Sequence, residues 1–229
     1  YIFISTGSVT FEITHSVKDH ISFIYTSPNI RTTDLQVNTI HDNFQYISID
    51  QLPKGLKWNN GFDLAIEAKN INDCTARAKV AMDSMKNIYI KWIDNHRKPW
   101  GANKKFIADT IIRDRADTVK NGIEDNAAFK IAVKEIRLEV QNKCDELKIS
   151  TYPRIVGVTS VNDKYTRALP WIGKAEEEQL FLVIGPWNAM FVDECDNYDP
   201  NVKDQPDNMI DAVSLGSALA SKKKTPKVL

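Results

Sequence analysis

The strongest constraint on the fold is a change of apolar pattern along the chain. Its first third holds short runs rich in Ile, Phe and Tyr, residues that favour strands, and turn-forming Gly, Pro and Asn separate these runs. Two similar short runs return after the middle of the chain. The pattern predicts strands at residues 1–5, 20–26, 44–50, 62–68, 154–159 and 179–184.

Elsewhere the apolar residues recur at intervals of three and four, which is typical of amphipathic helices. This spacing predicts helices over residues 72–95, 104–120 and 124–148, and a last helix from residue 207 or 208 to about 220. Strands first, helices next, and then strand, strand and helix predict an α/β domain with a helical insertion around residues 95–150. We expect one domain over residues 1–221 and a disordered basic tail over residues 222–229.

Composition excludes some classes of function. The 229 residues contain 30 Lys and Arg against 30 Asp and Glu, so the formal net charge is zero. A protein held to nucleic acid by bulk positive charge is therefore excluded, whereas a local basic patch is not. No apolar stretch approaches the roughly 18 residues of a membrane span, and we expect no membrane partner. Cys74, Cys144 and Cys195 show no metal-ligand spacing and indicate a reducing, intracellular compartment.

Three acidic residues, far apart in the sequence, are candidate metal ligands. Glu67 ends a predicted strand, whereas Asp207 and Asp211 are four residues apart on one face of the last predicted helix. Two-metal phosphodiester hydrolysis uses carboxylates that converge on two cations about 3.5–4 Å apart. A plain structural interpretation also exists for each position, namely a solvent-facing strand end for Glu67 and helix capping for Asp207.

Several motifs occur in an order that resembles a known family. They are YIFISTG at 1–7, FQYISIDQ at 44–51, AIEAKN at 65–70, DKYTRA at 163–168, GPW at 185–187, FVDE at 191–194 and DNMIDA at 207–212. This order is similar to that of the C-terminal nuclease domain of the large terminase subunit of tailed bacteriophages, within the RNase H-like and RuvC-like superfamily. The resemblance covers residues 1–94 and 151–221 and leaves the segment between them as an insertion.

The resemblance implies an RNase H-like mixed sheet flanked by helices, and a DNA endonuclease that hydrolyses phosphodiester bonds with two Mg²⁺ or Mn²⁺ ions. Glu67, Asp207 and Asp211 would be the catalytic metal ligands. Ser5 falls where the family has its first catalytic Asp, and Asn208 replaces the second Asp of an Asp-Asp pair. Because a hydroxyl is a weaker Mg²⁺ ligand than a carboxylate, we expect this chain to cut DNA poorly.

The resemblance also implies partners and a cellular setting. They are double-stranded DNA, the terminase ATPase domain, the portal, the small terminase subunit and the host cytoplasm. The chain holds no phosphate-binding loop of the kind that the ATPase motor uses, and it begins without Met inside a strand-like run. Both observations indicate a nuclease-domain fragment of a longer viral protein that works in DNA packaging.

Seven basic residues are candidates for DNA contacts. Four of them lie within residues 97–105, interleaved with aromatic residues, a pattern used by grooves that follow a nucleic acid backbone. A turn between helices with a charged rim and buried aromatics explains the pattern equally. Lys164 and Arg167 follow a predicted strand, and they could face the scissile phosphate or form ordinary loop ion pairs. The full set is Lys69, Arg97, Lys98, Lys104, Lys105, Lys164 and Arg167.

Three other interpretations remain open. A RuvC-like Holliday-junction resolvase shares the fold and the order of the acids. A restriction-type site would use Asp50 or Asp63 together with Glu67 and Lys69. A non-enzymatic viral assembly or structural protein would use residues 95–150 as its working surface and bind no divalent metal. A hydrolase triad has no support, because nothing in the sequence places a Cys or Ser nucleophile beside a His.

Overall fold

The computed structural model describes residues 3–6, 9–17, 20–26, 43–65, 74–125, 129–159, 163–202 and 205–221. Contacts divide the chain into two compact units, Tyr1–Asn38 and Thr39–Leu229. The single domain that the sequence predicts over residues 1–221 stays a prediction. The predicted basic tail, residues 222–229, lies outside the described residues.

The first unit contains a small antiparallel sheet. Its strands are β1 (Phe3–Thr6), β2 (Val9–Val17) and β3 (His20–Thr26). β2 pairs with both of the other strands. The strands predicted at residues 1–5 and 20–26 are confirmed. β2 is absent from the predicted strands, although Val9, Phe11 and Ile13 alternate with polar residues as strand residues do.

The described part of the second unit contains a mixed sheet of seven strands. They are β4 (Gln45–Ile47), β5 (Trp58–Asp63), β6 (Thr75–Met82), β7 (Ile88–His96), β8 (Thr118–Glu124), β9 (Ile155–Val158) and β10 (Leu180–Val183). Their order across the sheet is β4-β10-β7-β6-β5-β8-β9. β5, β6 and β7 are successive antiparallel strands, whereas β8 is parallel to β5 and β9 is parallel to β8. At the other end, β10 is parallel to β7 and β4 is parallel to β10.

Five α-helices belong to the described part of this unit. They are α1 (Trp100–Asp114), α2 (Lys130–Glu146), α3 (Lys164–Glu176), α4 (Asn188–Asn197) and α5 (Asn208–Ser221). α5 lies directly on β5 and β6, because glycines remove the side chains that would keep it away. A Cβ atom on Gly61 would overlap the backbone of Ala212 and Gly216, and a Cβ atom on Gly216 would overlap Val80.

The two faces of the sheet carry different helices, because side chains alternate along each strand. In β5, Gly61 faces α5, whereas Phe62 packs into a buried cluster with Ile107 of α1 and Ile136 of α2. Residues of α3, α4 and α5 form a second buried cluster on the α5 face, and Trp171 is almost fully buried there. Helices therefore cover both faces of the sheet, and the predicted α/β class is confirmed.

Residues 95–150 are not a helical insertion added to a finished sheet. β8 lies between α1 and α2 in the sequence and pairs with β5 in the interior of the sheet. The segment therefore supplies one interior strand of the sheet and both helices of one face. Polar residues inside β8 hide its strand pattern. One of them, Asn121, is buried and accepts a hydrogen bond from the Asn60 side chain at 2.8 Å.

The described part of residues 72–95, which are predicted as one amphipathic helix, forms the hairpin β6–β7 instead. Ala76, Ala78 and Val80 alternate along β6 in the buried cluster on the α5 face. The chain reverses before β7, and Lys86 in the turn has a φ of 73°. The pairing of β6 with β7 shifts register after Lys79. Such a shift interrupts the two-residue alternation, which is why the apolar spacing imitates a helix.

Candidate active site

Two acidic residues end neighbouring parallel strands. Phe62 of β5 is the register partner of Ile123 of β8, so Asp63 and Glu124 are the next residues along each strand. Adjacent strands lie about 4.8 Å apart. The position two residues before each acid is a glycine that faces α5. Because side chains alternate, the carboxylates of Asp63 and Glu124 lie side by side on the face that α5 covers.

Two more carboxylates come from the start of α5. Asp211 lies in its first turn and is 2% exposed, and Asp207 directly precedes the helix. Glu194 of α4 fixes this helix start, since its Oε1 accepts the backbone N–H of Met209 at 2.7 Å and that of Ile210 at 2.9 Å. The N–H of Asp211 donates to the carbonyl of Asp207 at 2.9 Å. The two acids therefore share one side of the helix, as their four-residue spacing predicts.

Two cations from α3 contact these acids. The Lys164 ammonium lies 2.7 Å from both carboxylate oxygens of Asp207 and 3.2 Å from Oδ2 of Asp211. The Arg167 guanidinium lies 2.9 Å from Oδ1 of Asp211 and 3.5 Å from Oε1 of Glu124. Both cations belong to the first turns of α3 and face the same side of it, because they are three residues apart. The ends of β5 and β8 and the starts of α3 and α5 thus form one charged cluster.

Burial dominates the electrostatics of the buried acids. It raises the pKa of Asp63 well above its usual range, the charge of Asp211 adds to the rise, and Lys164 opposes it. The charges of Glu124 and Asp207 raise the pKa of Asp63 further. Burial also raises the pKa of Asp211, although Lys164 and Arg167 lower it. The four carboxylates therefore share one electrostatic environment, in which burial favours the protonated forms of Asp63 and Asp211.

Two neighbouring groups respond to the same charges. Burial lowers the pKa of Lys164, but Asp211 and Asp207 outweigh this effect and raise it above its usual range, so Lys164 is charged at neutral pH. Burial raises the pKa of Glu194 to about 7, although the two backbone N–H groups that it accepts favour its charged form. Glu194 therefore changes its charge near neutral pH, directly behind the start of α5.

The structure brings four of the residues in the predicted site into contact and leaves others elsewhere. The four are Lys164, Arg167, Asp207 and Asp211. Glu67 and Lys69 lie outside the described residues. Ser5 lies in β1, in the three-stranded sheet of the first unit, where its register partner is Thr10.

Asp63 and Glu124 are the members of the cluster that the sequence analysis does not predict. Asp63 enters only the restriction-type alternative, and Glu124 falls at the start of a predicted helix. A local signal was present at both positions. Each strand ends in a glycine, a large apolar residue and an acid, which read GFD at 61–63 and GIE at 122–124.

The basic segment at residues 97–105 lies at the same end of the sheet as Asp63. Ala76 of β6 is the register partner of Asp63. The residue before it, Thr75, is the register partner of His96, which ends β7. The basic segment follows His96 directly, so it begins beside the sheet end that carries the carboxylates.

Contacts within this segment show a turn between β7 and α1 rather than the predicted turn between helices, and its role in DNA binding stays a prediction. The Lys98 ammonium lies 4.5 Å from the ring centroid of Phe106. The indole N–H of Trp100 donates to Glu135 at 2.8 Å, and Lys104 lies 3.3 Å from the same carboxylate. The aromatic rings are partly buried, as a turn between elements requires, and the cations that a DNA backbone could reach are exposed. These exposed cations are Arg97, Lys98 and Lys105.

The donor set of the cluster suits a hard divalent cation, because Mg²⁺ and Mn²⁺ prefer carboxylate oxygens. Its present spacing suits the ammonium of Lys164, which already lies between Asp207 and Asp211. Within the part of the chain that the structure describes, no group of three or more His, Cys, Asp or Glu side chains is spaced to hold a metal ion. The carboxylate oxygens are therefore suitable ligands for a divalent metal, whereas their present positions accommodate the ammonium of Lys164.

Solved structures with the same architecture identify the fold. The manganese-soaked nuclease domain of the human cytomegalovirus terminase aligns with a TM-score of 0.56 at 15% identity, over 80% of this chain and 93% of that chain. The zinc-bound large terminase nuclease of the thermophilic phage G20c aligns with a TM-score of 0.52 at 11% identity, over 79% and 96% of the two chains. The nuclease domain of the P22 large terminase aligns with a TM-score of 0.50 at 11% identity, over 76% and 87%. The chain has the RNase H-like fold of terminase nuclease domains.

The predicted resemblance and the predicted RNase H-like mixed sheet are thus confirmed at the level of the fold. No family model matches the chain, and no curated protein matches it either. At these sequence identities the structural matches establish the fold alone. In the described ranges, no helix combines the length and the apolar character needed to cross a membrane.

Proposed function

We propose that this chain is a metal-dependent DNA endonuclease domain of a viral genome-packaging terminase. The observation that carries the proposal is the convergence of Asp63, Glu124, Asp207 and Asp211 at one end of the sheet, from two strands and one helix. Terminase nuclease domains have the same fold, and those of cytomegalovirus and phage G20c are known with manganese soaked in and with zinc bound. Phosphodiester hydrolysis with carboxylate-bound metal ions is the chemistry that this set of side chains supports best.

Within this proposal, Asp63 takes the role predicted for Ser5, and Glu124 supplies a second strand carboxylate beside it. The reason lies in the topology of the sheet. β5 and β8 are adjacent parallel strands, and their last residues face α5, the helix that carries Asp211. The proposed site then holds a complete set of carboxylates, and Ser5 gives no reason to expect impaired cleavage. The role of Glu67 stays a prediction.

Two bound Mg²⁺ or Mn²⁺ ions would supply a hydroxide nucleophile at neutral pH and stabilise the leaving 3′ oxygen. The carboxylates of the chain would hold the ions, and bound metal would favour the ionised form of Asp63, whose pKa burial raises. Arg167 holds Glu124 and Asp211 together through its two contacts. Half-exposed Lys164 is placed to reach a phosphate oxygen of the substrate.

The same proposal includes a substrate and a setting. The substrate is double-stranded DNA, whose backbone would lie along the exposed cations of the basic segment at residues 97–105. The working partners would be the terminase ATPase domain, the portal and the small terminase subunit, in the cytoplasm of the host. Low sequence specificity is expected, because these contacts are to the phosphate backbone rather than to base edges.

Cleavage of supercoiled plasmid DNA in Mn²⁺ tests the proposal. Asp63→Asn and Asp211→Asn are each expected to lower the cleavage rate by about a hundredfold or more, because each removes a carboxylate that would bind metal. Asp193→Asn is the matched control, since Asp193 is an exposed acid on α4 and is expected to keep full activity. Full cleavage by both site variants, or no metal-dependent cleavage by the unaltered chain, would overturn the proposal.

A further inference from the structure

The ammonium of Lys164 lies where the carboxylates of the α5 start converge. It contacts both oxygens of Asp207 at equal distances of 2.7 Å and one oxygen of Asp211 at 3.2 Å. One cation thus takes a two-oxygen contact from one carboxylate and a one-oxygen contact from another. This is the pattern of donors that a divalent cation takes from a pair of carboxylates.

Lys164 and Arg167 differ in how firmly the fold holds them. The Arg167 side chain is 15% exposed and bridges Asp211 and Glu124, so it belongs to the packed interior of the cluster. The Lys164 side chain is 50% exposed, whereas the carboxylates of Asp207 and Asp211 are 13% and 2% exposed. A flexible lysine that reaches the cluster from the solvent side can turn away with little loss of packing.

We infer that Lys164 is an internal cation that competes with the divalent metal for Asp207 and Asp211. Metal binding displaces its ammonium from the two carboxylates and leaves the side chain at the mouth of the site. In the metal-free protein the ammonium keeps the acids partly neutralised and close together, which stabilises the start of α5. This inference rests on the proposed nuclease function and adds a control over when the site takes up metal.

Direct measurement of Mn²⁺ affinity by titration calorimetry on the full chain tests the inference without any cleavage assay. Lys164→Met keeps most of the apolar stem and removes the charge, so it is expected to bind Mn²⁺ about three- to tenfold more tightly than the unaltered chain. Lys164→Arg keeps the charge and is expected to bind no more tightly than the unaltered chain. Lys174→Met is the matched control on the same helix, because Lys174 pairs with Glu177 away from the cluster.

The possible outcomes separate this inference from the nuclease proposal. If Lys164→Met binds Mn²⁺ as the unaltered chain does, or more weakly, the inference is wrong and the nuclease proposal stands. If neither the unaltered chain nor Lys164→Met binds Mn²⁺, both the inference and the nuclease proposal are wrong. Binding by Lys164→Met alone supports the inference in its strongest form. Circular dichroism verifies folding of each variant, and Lys164→Gln replaces Lys164→Met in the same comparison if that variant fails to fold.

Discussion

The carboxylate of Glu194 accepts the backbone N–H of Ile210 at 2.9 Å and ties α4 to the first turn of α5. The same oxygen accepts the N–H of Met209 at 2.7 Å. Glu194 is 6% exposed, and burial raises its pKa to about 7. Asp211 directly follows Ile210 in the chain, so Glu194 supports the helical turn that carries the candidate site.

The free energy of unfolding is expected to fall as the pH rises from 4.5, the ordinary pKa of a glutamate, to about 7. In this window the unfolded chain ionises Glu194 while the folded chain retains the proton. The folded state therefore binds more protons, and a rising pH favours unfolding. The raised pKa values of Asp63 and Asp211 act in the same direction.

Urea unfolding at a series of pH values measures this dependence, and Glu194→Gln isolates the part that belongs to Glu194. The amide does not titrate, so the variant should lose a part of the decline on the order of 3 kcal/mol. An equally steep decline in the variant would show that other groups cause it.

Truncation of the same side chain tests its structural role. Glu194→Ala leaves the N–H groups of Met209 and Ile210 buried without their acceptor, so it is expected to lower the free energy of unfolding by about 2–4 kcal/mol. Asp193→Ala, on the exposed side of the same helix, is expected to change it by less than about 1 kcal/mol. Urea unfolding at one pH gives both values. Similar losses in both variants would show that Glu194 does not stabilise the start of α5.

Substitution at Ser5 distinguishes the two assignments of the first catalytic acid. Ser5→Asp is expected to leave Mn²⁺-dependent plasmid cleavage unchanged, because in the proposed site Asp63 at the end of β5 already supplies the first strand carboxylate. Glu124→Gln is expected to lower cleavage by about a hundredfold, because it removes a carboxylate from the cluster. A gain of cleavage in Ser5→Asp would show that position 5, and not Asp63, is the position of the first catalytic metal ligand.

Lys69 distinguishes the terminase-type site from the restriction-type alternative. The alternative places catalysis on Glu67 and Lys69, so Lys69→Ala would abolish cleavage while Asp211→Asn would leave it intact. The carboxylate cluster predicts the reverse, with strong loss in Asp211→Asn and at most a modest loss in Lys69→Ala. The same plasmid assay, run on both variants in parallel, decides between them.

The parts of the site that the sequence predicts are those encoded by local spacing. Asp207 and Asp211 are four residues apart, and Lys164 and Arg167 are three apart, so one helical turn brings each pair to one side. These four residues do meet in the structure. Local periodicity also predicts five of the ten described strands, whose apolar runs are short and bounded by turn residues, namely β1, β3, β4, β9 and β10. The strand predicted at 62–68 shares only residues 62 and 63 with β5.

The rest depends on strand order, which local patterns do not contain. Asp63 and Glu124 become neighbours only because β8 pairs with β5, although β6, β7 and α1 separate the two strands in the sequence. The β6–β7 hairpin was hidden for a different reason, since its register shift and its turn place apolar residues at helical intervals. Met85 fits the apolar spacing of the helix predicted over residues 72–95, yet it is 76% exposed at that turn.

A buried ion pair on the opposite face of the sheet should govern stability rather than catalysis. Arg77 of β6 donates to Asp114 of α1 at 2.5 Å and to Asp94 at 2.7 Å, and its side chain is 3% exposed. Arg77→Ala leaves the carboxylate of Asp114, which is 9% exposed, without its nearest cation, so it is expected to lower the free energy of unfolding by about 3–5 kcal/mol. Arg113 also contacts Asp114, at 3.1 Å, but its side chain is 60% exposed, and Arg113→Ala is expected to cost less than about 1 kcal/mol.

Urea unfolding of the two variants measures the difference, and Mn²⁺ affinity should stay unchanged in both. Equal losses of stability would mean that burial does not set the strength of these contacts with Asp114.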